Sequence, residues 1–407
     1  MAVIAPTDEA GVAAAVRAAH AEDRALELEG GGSRRGLGRP LQTADTLSLA
    51  GLDGIELYEP GELVVRARAG TPLAELEAAL AAEGQMLPFE PPDYRRLLGN
   101  DGAVPTIGGL VAANLSGPAR IARGALRDSL IGVRFVDGEG RIQRSGGRVM
   151  KNVTGLDLVK LTAGAHGTLG ALTEVTFKVL PRPEAELTLA VPGLDPARAG
   201  AAMTGALATP LEVAAAAHLP AALAAASTVP EVAGAGTALT LLRLESFADF
   251  IDGRVARLAE HLGAESGALH LHAEASRAVW AEIRDVTLLA EPRERAVWKI
   301  STAPTAGTAL FENLTDELDA AGYLDWSGGL VWLAVPPHQE DAGATAIREA
   351  LAALGGHATL VRAPATLRAA IDVFEPPTGQ VMALTRRLKD AFDPKRILNP
   401  GRMYAGV

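Results

Sequence analysis

Residues 147–183 read GRVMKNVTGLDLVKLTAGAHGTLGALTEVTFKVLPRP. The character of the chain changes twice within this run. Asn152-Val153-Thr154-Gly155-Leu156-Asp157-Leu158 is a polar turn, and Gly164-Ala165-His166-Gly167-Thr168-Leu169-Gly170 is dense in glycine. Residues 171–180 then set Leu172, Val175, Phe177 and Val179 against polar neighbours, which predicts a strand with one buried face. Pro181 and Pro183 mark the end of the region.

Upstream, Thr7 is placed to cap a helix, with Asp8 and Glu9 in its first turn and Val12, Val16 and Ala19 on one stripe. Residues 25–29 read as a strand running into Gly30-Gly31-Gly32-Ser33-Arg34-Arg35-Gly36-Leu37-Gly38. Residues 55–58 and 63–69 flank Glu59-Pro60-Gly61 as a hairpin. Thr71-Pro72 predicts a capped helix with proline at its first position, closed by Gly84. A second lobe follows, with a hairpin from residues 128–136 and 141–145 around Asp137-Gly138-Glu139-Gly140. Beyond Pro183 the texture changes to alanine-rich helical stretches alternating with strands at residues 239–245, 297–301 and 330–335. All four tryptophans lie in this part, and no internal sequence repeat is visible.

Glycines let backbone N–H groups converge on an anion, because they accept positive φ and carry no Cβ. The first loop is not a G-x-G-x-x-G fingerprint, and alone it reads equally well as a surface turn. Combined with Pro105-Thr106-Ile107-Gly108-Gly109, the Asn114-Leu115-Ser116-Gly117 segment and the two loops quoted above, it suits a long ligand held between two lobes by backbone groups.

The 147–183 run strongly resembles the FAD domain of the vanillyl-alcohol-oxidase (PCMH-type) flavoproteins, which include D-lactate dehydrogenases and glycolate oxidase. Three more segments, LPFEPPDY (87–94), ANLSGPARIARGALRDSLIG (113–132) and FDPKRILNPGRMY (392–404), resemble the glycolate oxidase FAD-binding subunit family of the GlcE type. The resemblance implies an α+β fold: a two-lobed PCMH-type FAD-binding domain at 1–182, a substrate-side α/β cap domain at 183–390, and a C-terminal segment at 391–407 that packs back on the FAD domain.

It also implies roles. Gly30, Gly31, Gly32, Ser33 and Arg34 would form the pyrophosphate loop. Thr106, Ile107, Gly108 and Gly109 would line the diphosphate and ribityl region, with Asn114, Ser116, Gly117, Gly124 and Asp128 continuing along the cofactor. Gly155 and Asp157 would hold a neighbouring loop, and Gly167, Thr168, Leu169 and Gly170 would sit nearer the adenosine. Asn399 and Gly401 would bring the tail back. In many relatives a first-loop histidine tethers the flavin. Arg34 and Arg35 stand in that stretch here, which implies dissociable FAD.

Other residues are weighed on their own chemistry. His270 and His272 share a strand face, but no third ligand of suitable spacing is evident, so a packing or surface role is favoured over metal. His166 reads as exposed and structural. Glu174 is balanced between a ribose contact and a strand-end surface carboxylate. Arg293, Arg295 and Lys299 are cations that a substrate carboxylate would need, yet in so acidic a chain they read as solvated or paired surface residues. Trp326 and Trp332 read as core. The stretch 325–333 lacks the histidine-bearing GDGN motif of the D-lactate dehydrogenase branch, so the catalytic base is unknown and no metal is expected.

The 407 residues fit two domains, and 48% hydrophobic against 21% charged residues is a globular composition. A net charge of −11 argues against nucleic acid. The absence of cysteine excludes disulfides, sulfur-tethered flavin and any Fe–S cluster carried by this chain. No signal peptide is expected, because MAVIAPTDEAG has neither a basic n-region nor an apolar h-region, and no transmembrane segment is expected, because the apolar run at 213–229 is broken by His218 and Pro220. The expected protein is cytoplasmic, with peripheral attachment to the inner membrane through partners left open. It would act on a small 2-hydroxy acid beside a catalytic FAD-linked glycolate oxidase subunit and an Fe–S subunit. The alternatives are a self-sufficient 2-hydroxy-acid dehydrogenase and a structural subunit that has lost its flavin.

Overall fold

A computed structural model describes residues 2–147, 156–264 and 266–407. The chain divides into two compact units. Met1–Ser116, Ala125–Arg182 and Asp372–Val407 form the first, and Gly117–Gly124 with Pro183–Ile371 form the second. The chain crosses from the first unit to the second between Arg182 and Pro183. It returns at Asp372, and helix Gly379–Phe392 belongs to the first unit. Its Lys389, fully buried, donates from Nζ to Thr168 O (2.7 Å), Leu398 O (2.8 Å) and Asp393 Oδ2 (2.8 Å).

The first unit carries two main sheets. β1 (Val3–Ile4), β2 (Leu26–Glu29) and β3 (Asp45–Ser48) form a parallel sheet in the order β1-β3-β2. β4 (Ile55–Glu59), β5 (Val64–Arg68), β7 (Leu130–Val136), β8 (Ile142–Gly146) and β9 (Ala171–Lys178) form an antiparallel sheet in the order β4-β5-β9-β7-β8. A short pair, β6 (Gln85–Met86) and β10 (Leu180–Pro181), lies beside them.

Helix Glu9–Ala21 is capped by Asp8, whose Oδ1 accepts from Gly11 N at 2.7 Å, one residue later than Thr7. It buries Val12, Ala13, Val16 and Ala19 against Leu26, Leu47, Ile397 and Leu398. Pro72 occupies the cap position of helix Leu73–Ala82, not its first turn, and Thr71 Oγ1 accepts from Gly54 N (3.0 Å) instead of capping. β9 differs from expectation too. Only Glu174 and Lys178 are partly exposed along it, because the strand is central and covered on both faces. Phe177 packs on Phe89 with ring centroids 5.4 Å apart, and Leu172, of opposite parity, lines a cleft.

The second unit is one eight-stranded antiparallel sheet. Its strands are β11 (Ala185–Pro192), β12 (Val213–Leu219), β13 (Leu239–Ser246), β14 (Leu269–His272), β15 (Ala296–Ser301), β16 (Ala321–Asp325), β17 (Leu330–Val335) and β18 (His357–Arg362). The order is β14-β11-β13-β12-β16-β17-β15-β18. This is a β-α-β-β-α-β arrangement used twice. Helices Pro196–Leu207 and Ile251–His261 serve β11 to β14, and helices Pro304–Leu318 and Ala344–Leu354 serve β15 to β18. The halves meet where His218 pairs with Leu324. A structural repeat therefore exists without a repeat in sequence, since alternating burial is all that each half must preserve.

His218 is 1% exposed, with Nδ1 3.0 Å from Thr240 Oγ1, and burial holds its pKa down to about 4. The unfolded imidazole takes up its proton near 6.5, so the unfolded chain binds more protons below that value. Stability of the second unit is expected to fall as pH drops from about 6.5 toward about 4, by up to ~3 kcal/mol from this residue. All four tryptophans report on this unit. Urea denaturation followed by their fluorescence should show a shallower acid slope in His218→Leu, and an unchanged slope would refute the assignment.

Candidate functional site

The cleft of the first unit is built where β2 ends. Gly30–Arg35 lie on one side, Thr106, Gly108 and Gly109 on another, His166, Gly167 and Gly170 on a third, and Asn399 and Arg402 close it. Glycine is required at two of these points. A Cβ on Gly31 would sit 1.9 Å from Val104 O, because the loop is strapped to Val104 (Val104 N to Gly31 O, 3.1 Å). Gly167 has φ +72 and would meet Asn399 Nδ2 at 2.7 Å.

Side chains then tie the three walls together. Asn399 Oδ1 accepts from Leu28 N and its Nδ2 donates to His166 O, both at 2.8 Å. Lys389 holds the carbonyl of Thr168 from behind. Thr106 Oγ1 accepts from Gly109 N at 3.4 Å at the start of helix Ile107–Ala113.

The charges are placed with purpose. Arg34 is largely desolvated, which lowers its pKa to about 10 against the opposing pull of Asp93 and Tyr94, so it stays cationic at neutral pH. Its protein bonds are long, 3.4 Å to Ser33 Oγ and 3.2 Å to Pro92 O, and buried Nε has no protein partner. Arg402 donates to Glu27 Oε1 (3.0 Å) and Leu37 O (3.2 Å), and Arg35 pairs with Glu29. Burial raises the pKa of Glu29, an effect that Arg35 opposes and Glu27 reinforces. A glycine cradle with an incompletely bonded buried guanidinium fits a phosphate-bearing ligand.

Of the expected residues, Gly30, Gly31, Gly32, Ser33, Arg34, Thr106, Gly108, Gly109, Gly167, Gly170 and Asn399 come together in this cleft. Others lie outside it. Ile107 and Leu169 are core residues. Asn114 accepts from Arg127 N (3.2 Å), Ser116 Oγ from Leu126 N (2.9 Å), and Asp128 from Ala125 N (2.8 Å). Asp157 caps helix Leu158–Thr162, and Thr168 Oγ1 donates to Ala165 O. Gly117 and Gly124 belong to the second unit, and Gly401 closes a turn with Val407 O. Gly155 lies outside the described residues.

Sequence reading missed Glu27, Glu29, Arg35 and Arg402 as cleft residues. The FDPKRILNPGRMY run was a signal for Arg402 that reached only as far as Asn399 and Gly401. His166 is a correction. It is not exposed but lines the cleft, packs 5.0 Å from the Phe374 ring, and is held neutral by burial and Arg402 with a pKa of about 4.

Elsewhere, Glu174 faces Arg66 at 3.7 Å on the sheet. His270 and His272 are exposed on β14 with ring centroids 6.5 Å apart, and no group of three metal-ligating side chains occurs among the described residues. Arg293 is exposed beside Glu291, and Arg295 donates to Ala334 O (3.4 Å). Lys299 is half-buried. It packs over Trp326 and Trp332. No helix among the described residues is long and apolar enough to cross a membrane.

Fold and cleft together define an FAD-linked oxidoreductase. Residues 1–146 match the FAD binding domain family and residues 378–403 the C-terminal domain of FAD linked oxidases, so FAD is the cofactor. The chain is 34% identical to glycolate oxidase subunit GlcE of Escherichia coli over 93% of each chain, and it belongs to that family. It is also 39% identical to glycolate oxidase subunit GlcD of Bacillus subtilis, over 28% of this chain and 23% of the other. Among solved structures, 4-ethylphenol oxidase from Gulosibacter chungangensis superposes with TM-score 0.72 at 16% identity, covering 99% of this chain and 89% of that one. Alkyldihydroxyacetonephosphate synthase gives 0.67 at 18%, covering 98% and 75%. Both share the two-lobed PCMH-type fold.

Proposed function

We propose that this chain is the FAD-binding subunit of a glycolate oxidase complex that oxidises a small 2-hydroxy acid. A catalytic flavin subunit and an Fe–S subunit would be its partners. The observation that carries the reading is the first unit's cleft, where loops from three parts of the chain and Arg34 converge in a protein similar to GlcE along nearly its whole length. When bound, FAD supplies the two-electron acceptor.

The protein's own part is to hold it. Gly30, Gly31, Gly32, Ser33 and Arg34 would take the diphosphate, and Thr106, Gly108 and Gly109 would take the neighbouring region from the second lobe. Gly167, Gly170 and Asn399 would close the adenosine side. Ile107, Asn114, Ser116, Asp128, Asp157, Thr168 and Leu169 support these loops from outside the cleft.

No histidine stands in the first loop, so FAD is expected to be dissociable. Acid precipitation of the yellow protein should leave FAD in the supernatant, and flavin in the pellet would refute this. With no cysteine in the chain, the Fe–S cluster of this reading would be carried by a partner. The subunit should co-purify with a second flavoprotein and an Fe–S protein, and glycolate-dependent dye reduction should need all three. Full activity of the isolated chain would support the self-sufficient alternative instead. A colourless protein that takes up no FAD would support the structural one.

A further inference from the structure

In the second unit, β13 ends at Ser246, opposite Ala185 of β11, and the chain passes into helix Ile251–His261 through Phe247-Ala248-Asp249-Phe250. This turn is fixed by its backbone. Phe250 N–H donates to Phe247 O (3.1 Å), Ala248 N–H donates to Glu184 Oε2 (3.2 Å), and Arg254 N–H on the helix donates to Phe250 O (3.1 Å). The two phenylalanine rings stand on it edge to face, with centroids 6.4 Å apart.

Both rings face solvent. Phe247 is 63% exposed and Phe250 60%, and they are the only aromatic side chains among the large exposed hydrophobics of the described residues. The core is closed without them, since Ile251, Val255, Leu258 and Ala259 supply the buried stripe of the helix. Adjacent aromatic surface left in water is recovered as stabilisation only when something covers it. Rings already held in place by a closed turn lose little conformational entropy on being covered, which is the character of an interface anchor.

The charge around the rings selects what covers them. Residues 244–253 read LESFADFIDG, with three carboxylates and no cation. Glu245 is engaged by Arg123 and Arg243. Asp249 and Asp252 are exposed and make no ion pair among the described residues, and Glu184 is exposed beside them. On the helix, Arg254 pairs with Glu212, and Arg257 lies about two turns beyond Phe250. An acidic rim repels nucleic acid and an anionic lipid surface. A symmetric second copy would set Asp249 and Asp252 against their own equivalents across the two-fold axis. A protein surface with an apolar pocket and basic side chains at its edge is attracted on both counts.

We infer that the Phe247–Phe250 turn is the surface by which the second unit docks an unlike protein subunit, inserting its two rings into an apolar pocket rimmed by lysine or arginine. The inference rests on the reading of this chain as one subunit of an oxidase complex, and it names the surface that would hold a partner.

The test is co-expression of the full chain with the catalytic flavin subunit and the Fe–S subunit, each tagged in turn. The assembled fraction is measured, and the affinity is read by interferometry. Phe247→Ser combined with Phe250→Ser should weaken association roughly thirtyfold. Phe247→Tyr with Phe250→Tyr keeps the rings and should retain most of the affinity. Asp249→Lys with Asp252→Lys should weaken association at about 50 mM salt and do so less at about 500 mM, where rim charges are screened. All four positions are exposed, so FAD content and thermal unfolding should match the parent, which separates lost docking from lost folding.

A serine variant that assembles as well as the parent would overturn the inference and leave the proposed function standing. A lysine variant that assembles as well as the parent at low salt would do the same. So would a dimer of the chain alone, or binding to phosphatidylcholine–phosphatidylglycerol vesicles, that the serine variant loses, since the turn would then serve a second copy or a membrane. A parent chain that assembles with neither subunit sinks the proposed function and this inference together.

Discussion

Lys389→Met is expected to destabilise the first unit by about 3–5 kcal/mol, the range for removing one partner of a buried ion pair. The ammonium is fully buried and satisfies three acceptors: Asp393, Thr168 O and Leu398 O. Burial lowers its pKa while Asp393 raises it, so the charged form depends on that carboxylate. Methionine would leave Asp393 as a buried charge with only the N–H groups of Ile397 (3.1 Å) and Leu398 (2.8 Å) for support.

Thr168 lies inside the Gly167–Gly170 wall of the cleft and Leu398 precedes Asn399, so loss of the ammonium loosens two cleft walls together. Denaturation of the flavin-free chain, followed by a probe in the first unit, checks the number. A companion experiment replaces both partners, Lys389→Met with Asp393→Leu. If the single variant suffers from the stranded carboxylate, the double variant recovers part of the loss. A single variant within 1 kcal/mol of the parent would show that the network is not what holds the tail.

The second large effect is on cofactor affinity. Arg34→Met should raise the FAD dissociation constant roughly ten- to a hundredfold, since a hydrogen bond to a charged group contributes about 1.5–3 kcal/mol. Stability should change little, because the bonds Arg34 makes within the protein are long and its Nε makes none. Arg34→Lys keeps the charge but not the planar fork and should fall between the two. Flavin fluorescence on titration of FAD into the flavin-free protein measures this directly. Equal affinity in parent and methionine variant would remove Arg34 from the diphosphate site and leave the glycines alone to hold it.

How much of this was legible beforehand depends on what kind of constraint each residue obeys. Hairpins around Glu59-Pro60-Gly61 and Asp137-Gly138 were legible because turn chemistry is local. The glycine-dense loops were visible as loops but not as one cleft, because the close approach that demands a missing Cβ, as between Gly31 and Val104, joins residues far apart in the chain. Capping was off by one, Asp8 for Thr7, because neighbouring polar residues compete for the same N–H groups. The burial of both faces of β9 was not legible either. Thr173 and Thr176 look like solvent positions, yet the strand lies in the middle of its sheet.

The amino-acid sequence by itself determined a set of glycine-dense loops before Pro183, a change of texture after it and the absence of any cysteine to hold an Fe–S cluster, and the resemblance carried by its motifs pointed to FAD. The glycine and Fe–S readings follow from residue types whose physical limits hold in any fold: glycine's missing Cβ and the absence of a cysteine thiolate. Only the tertiary structure decided which loops share one cleft, that His166 and Arg402 belong to it, and that the chain returns at Asp372. It alone also placed Lys299 over Trp326 beside Arg120, which stands 179 positions earlier in the chain. Burial, and with it the perturbed charge of a lysine or histidine, is set by what packs from far away in the sequence, and no local pattern records that neighbour.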